Sequence, residues 1–70
     1  MKPTYSVHAR LRMWERDITE HEIETVLTDY HSSCCDDDGN PIYVGHPQGR
    51  RVVVVVSLGS NPPHIITVWD

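Results

Sequence analysis

Seventy residues allow one small domain, near the size at which a single core is only just sufficient and a partner or second copy often adds stability. A formal net charge of -4, from six Lys and Arg against ten Asp and Glu, excludes a protein that coats nucleic acid through general basicity. The two cysteines, Cys34 and Cys35, are adjacent and cannot staple distant segments, which excludes a secreted disulfide scaffold and fits a reducing cytoplasm.

The start of the chain lacks the apolar run of a signal peptide, and the run from Val52 to Val56 is too short to cross a bilayer, so no membrane attachment is expected. Lys2 to Tyr5 reads as a short edge strand, and Ser6 as the N-cap of a first helix. Val7, Leu11, Trp14 and Ile18 recur at i, i+4, i+7 and i+11, which predicts the buried stripe of that helix. His8, Arg12, Glu15 and Arg16 fall on its flank. At Asp17 the pattern breaks. Thr19 and Glu22 then form a T-x-x-E capping box that opens a second helix running to about Tyr30, with Ile23, Val26, Leu27 and Tyr30 inward. Glu20, Glu22 and Glu24 lie in its first half, where the helix dipole favours negative charge.

His31 to Asn40 is polar, contains Asp38-Gly39 and precedes a proline, so it reads as a solvated loop. Pro41 to Gly45 is a short strand, and Arg50 to Leu58 the strongest one, with five consecutive β-branched valines. A turn over Gly59 to Pro63 leads to a last strand from His64 to Trp69. The expected fold is a single α+β domain over residues 1–70, with two N-terminal helices packed on a three- or four-stranded antiparallel sheet. Val52, Val54 and Val56 alternate with Val53 and Val55, and two helices cover one face only. The second face, carrying Tyr43, Thr67 and Trp69, is expected to meet a partner or substrate.

The sequence His8-Ala9, Arg12-Met13, Arg16 and Ile18, followed by a capped helix, Gly49-Arg50 and a terminal Thr67-Val68-Trp69, resembles an uncharacterised bacterial family. Its members open with His-Ala-x-x-Arg-Met-x-x-Arg-x-Ile and end on a Thr-Val-aromatic strand. That family is similar in size and element order to the RelE, ParE and BrnT-like toxins of toxin-antitoxin modules, several of which cleave RNA. The resemblance implies a cytoplasmic toxin-like fold with RNA and an antitoxin protein as partners. Members commonly carry glycine where this chain has Asp17.

Metal-free RNA cleavage needs a proton acceptor, a proton donor and cations around the phosphate. His8, Arg12 and Arg16 are the candidate catalytic residues, with Arg50, Arg51, Tyr43, Thr67 and Trp69 as candidate substrate contacts. In the competing reading the arginines are solvated or paired with neighbouring acids, and the open sheet face binds a second copy or another protein. The run His31-x-x-Cys34-Cys35-Asp36 holds zinc-ligand types at poor spacing, so neither metal nor cofactor is expected.

Overall fold

The computed structural model describes residues 2–70. Its elements run β1 (Thr4–Tyr5), α1 (Val7–Arg16), α2 (Glu20–Thr28), β2 (Ser32–Cys35), β3 (Pro41–Gly45), β4 (Val52–Val56) and β5 (His64–Trp69). The α+β class and both helices stand as expected, but the sheet has five strands in the order β1-β5-β4-β3-β2. It is mixed: β1 pairs with β5 in parallel, and the other pairs are antiparallel.

The additional strand is β2, from the stretch expected to be a loop. Ser-Ser-Cys-Cys carries no hydrophobic alternation, so its strand character comes from the hairpin it forms with β3. The Asp36 carboxylate closes that hairpin by accepting from the N–H groups of Asp38 and Asn40 at 2.9 and 2.8 Å. These are the local side-chain-to-backbone bonds that favour Asp in turns.

Both helix starts are capped as the sequence predicts. Ser6 Oγ accepts from Ala9 N–H, and Thr19 and Glu22 satisfy each other's backbone amides in a complete capping box. Helix α1, however, is rotated relative to the expected stripe. Val7, Leu11 and Trp14 are 89, 51 and 83% exposed, whereas Ala9 and Met13 are buried and Ile18 follows them into the core. Tertiary hydrogen bonds set the rotation. Ser6 N–H donates to Ile65 O and Ser6 Oγ to Ile66 O, pinning the helix start to β5. The small Ala9, fully buried, then lets the helix approach the sheet.

Ala9, Met13, Ile18, Ile23 and Val26 pack on Val52, Val54, Val56, Ile65 and Val68 to form the core. Tyr43 is in register with Val54 and packs against this core beside Tyr30, so it lies on the helix-covered face rather than with Trp69. On the helix-free face, Val53 stands between Val44 and Trp69, and Val55 between Ile42 and Thr67. Those neighbours leave the two valines only 1 and 5% exposed, so the open face presents Ile42, Val44, Thr67 and Trp69 rather than the valines themselves.

Helix α1 ends at Asp17, which holds a left-handed conformation (φ 55°, ψ 44°) while Ile18 N–H reaches back to Met13 O at 2.8 Å. Left-handed backbone costs an L-residue about 1–2 kcal/mol, and a carboxylate at a helix C-terminus opposes the dipole. Glycine would remove both costs but add unfolded-state entropy. Asp17→Gly is therefore expected to stabilise the fold by about 0.5–1 kcal/mol, raising Tm by roughly 3–6 °C in a calorimetric scan. The Asp17 carbonyl, which is used elsewhere in the fold, is retained by the substitution.

Candidate functional site

Helix α1 lies along β5, and the C-terminal end of each contributes to one shallow cleft of about 400 Å³ lined by Arg12, Arg16, Thr67, Val68, Trp69 and Asp70. Four of the sequence-predicted site residues thus converge: Arg12 and Arg16 from the helix, Thr67 and Trp69 from the strand. Their convergence follows from helical geometry. Arg12, Arg16, Ala9 and Met13 share one side of α1, so burying Ala9 and Met13 turns the two arginines toward the sheet. Both arginines have acidic neighbours, with Arg12 Nη1 3.5 Å from Glu15 and Arg16 Nη1 3.8 Å from Asp70. These are long, solvent-exposed pairs of the kind that contribute little and exchange readily.

His8 is exposed on α1 and does not line the cleft. Arg51 is also exposed. Tyr43 is on the opposite sheet face, its ring 4.7 Å from that of Tyr30. Arg10, the third arginine of α1, is bound to Glu20 at 2.8 Å and lies 4.3 Å over the Tyr5 ring.

Arg50 has a different role from the one its position beside the motif suggests. Its Nε donates to Glu22 Oε2 at 3.3 Å, Nη1 to Arg16 O and Asp70 Oδ2, and Nη2 to Asp17 O and Glu22 Oε1. A guanidinium has five N–H groups, and each has an acceptor here. Arg50 therefore clamps the end of α1, the start of α2 and the end of β5 together. Glu22, 3% exposed, is the buried acid in this clamp. Burial alone would raise its pKa, but hydrogen bonds from Arg50 and Thr19 and the Arg50 charge together hold it below the ordinary carboxylate value. The same pairing raises the pKa of Arg50 above its ordinary value. The sequence assigns Glu22 to the capping box and the helix dipole; its bond to Arg50, 28 positions away, has no local signature.

Cys34 and Cys35 are free and exposed at adjacent strand positions, which direct their side chains to opposite faces of the sheet. Among the described residues no three or more His, Cys, Asp or Glu side chains gather as a metal site. His31 and His46 stack at 4.8 Å between ring centroids. Among the described residues no helix is long and apolar enough to cross a membrane.

No match to a curated protein or to a solved structure is found. A family described as "Domain of unknown function (DUF4258)" matches residues 5–70, which include both helices, the cleft and the Arg50 clamp. The chain belongs to that family.

Proposed function

We propose that the chain is a toxin-like member of a toxin-antitoxin type of module that works by binding a protein partner on the outer face of α1. The observation that carries this reading is the exposure of Val7, Leu11 and Trp14 in one stripe. Large apolar side chains at i, i+4 and i+7 form a continuous ridge, and an exposed ridge of this kind marks a contact surface. Arg10 borders this ridge, while Arg12 and Arg16 lie on the opposite, sheet-facing side of α1. The matching partner is a segment with an apolar stripe of its own, as an amphipathic helix presents. Arg10 and Arg50 are held by Glu20, Glu22 and Asp70, so they offer no free cation to a phosphate.

The test is co-expression with the product of the adjacent reading frame, purification of the pair and calorimetric titration against the wild type and Trp14→Ala. Binding that depends on Trp14 supports the reading; binding unaffected by Trp14 and Leu11 substitutions ends it.

A second reading, metal-free RNA cleavage, is favoured by the convergence of Arg12, Arg16, Thr67 and Trp69 on one cleft. In this reading the two arginines exchange their weak pairs for a phosphate and Trp69 stacks on a base, while His8 stays outside the cleft. Arg50, its donors all engaged, holds the cleft walls rather than the phosphate. Arg12→Ala with Arg16→Ala, shown to be folded by circular dichroism, is expected to abolish RNA cleavage and growth inhibition if the cleft is the site. Undiminished cleavage by that double variant ends this reading.

A further inference from the structure

The two edges of the sheet are treated differently. β1 has two residues and is preceded by Pro3, and α1 is pinned along β5 beyond it. β2, at the other edge, is four residues of Ser and Cys, exposed throughout, with no charge or proline inside it. Charges, prolines and covering elements are the devices by which edges avoid pairing, and β2 has none.

The direction of its free backbone groups follows from the ladder. Asp36 N–H donates to Asn40 O, and the register pairs Cys34 with Ile42 and Ser32 with Val44. Antiparallel ladders alternate, so the even positions of β2 bond inward to β3 and the N–H and C=O of Ser33 and Cys35 point outward. His31 N–H is already engaged with Val44 O. An incoming antiparallel strand can therefore use Ser33 and Cys35 only.

We propose that β2 pairs with β2 of a second copy of this chain across a two-fold axis through Cys34, joining two five-stranded sheets into one. In this register Ser33 of each copy exchanges both backbone bonds with Cys35 of the other, giving four ladder bonds. The alternative centred on Ser33 would require His31 N–H, which is occupied. Hydrogen-bonding complementarity selects a second copy as the occupant. The stacked His31 and His46 lie at one end of β2 and Asp36, Asp37 and Asp38 at the other. Antiparallel self-pairing sets the acidic turn of each copy beside the imidazoles of its mate, twice per dimer. This surface is separate from the outer face of α1 and from the arginine cleft, and the inference does not rest on either.

Cys34 then faces its own symmetry mate in a non-hydrogen-bonded pair, for which Cα atoms are about 4.5 Å apart, within the range a disulfide spans. Cys35 faces Ser33 instead. The interface is small, so association is weak and is read at high protein concentration.

Sedimentation of the reduced full chain is expected to show a concentration-dependent monomer-dimer equilibrium. Ser33→Pro removes an outward N–H and leaves the inward ladder bonds of β2 intact, so it is expected to be monomeric with an unchanged circular dichroism spectrum. Trp14→Glu is expected to dimerise as the wild type does. With diamide accepting the two protons and two electrons released as two thiols join, Cys35→Ser is expected to cross-link at least about tenfold faster than Cys34→Ser, since only the former keeps the facing pair. A monomeric wild type, a Ser33→Pro protein that dimerises normally, a dimer abolished by Trp14→Glu, or equal cross-linking by the two cysteine variants overturns the proposal.

Discussion

Replacing Arg50 with alanine is expected to lower Tm by roughly 15 °C, the largest effect of any single exposed-side substitution in this chain. The substitution leaves the Glu22 carboxylate, 4% exposed at its side chain, without its counter-charge, and it removes the donors to the carbonyls of Arg16 and Asp17. Breaking a buried pair costs about 3–5 kcal/mol. The Arg50 side chain is itself 37% exposed, so solvent screens part of the attraction and the lower end, about 3 kcal/mol, is expected. Total stability of a domain this size is only about 4–10 kcal/mol. Lysine cannot reproduce five fixed donors, so Arg50→Lys is expected to recover less than half of the loss.

The pH dependence identifies the cause. The folded-state pKa of Glu22 lies below its ordinary value of 4.5, so the clamp's contribution is fully present above that pH and is lost as pH falls through the folded-state value. Without Arg50, only the Thr19 hydrogen bonds oppose the effect of burial, and Glu22 takes up a proton more readily. The stability gap between wild type and Arg50→Ala is therefore expected to be widest at neutral pH and to narrow below pH 4.5. A gap of constant size across that range, or a Tm change under about 3 °C, would show that Glu22 is not the group Arg50 supports.

Trp14→Ala is expected to give the opposite pattern, with binding lost and stability kept. Trp14 is 83% exposed, so its removal costs the fold less than about 0.5 kcal/mol. In the proposed complex the indole is a buried anchor at the C-terminal end of the α1 ridge, and truncating such an anchor costs about 2 kcal/mol or more, roughly a 30-fold weaker Kd. Leu11→Ala acts in the same direction with a smaller loss, because Leu11 is already half covered. Calorimetric titration and thermal melting of the same preparations separate the two quantities. A Trp14→Ala protein that binds normally but melts well below the wild type would place the indole in the fold instead of the interface.

Much of this architecture was legible in the order of residues because its signals are local. Ser6, Thr19 and Glu22 cap helices through bonds that reach at most three positions, and five β-branched valines suit an extended strand wherever it packs. Arg12, Arg16, Thr67 and Trp69 were each candidate site residues, but the helix pair was expected to meet Arg50 and the strand pair to face outward with Tyr43; their meeting in one cleft, with His8 outside it and Tyr43 on the far face, has no local signal. Three features were settled by long-range contacts. Strand β2 has no apolar pattern and exists through its ladder with β3. The rotation of α1 comes from Ser6 bonding to β5, which reverses the expected inner and outer faces of the helix and leaves Val7, Leu11 and Trp14 outside. Arg50 looked like a phosphate ligand beside a basic motif, and the fold spends its donors on groups 20 to 34 residues away. Periodicity reports that a helix has an apolar stripe. Whether that stripe meets the core or a partner depends on which backbone groups of other elements are left to hold the helix in place.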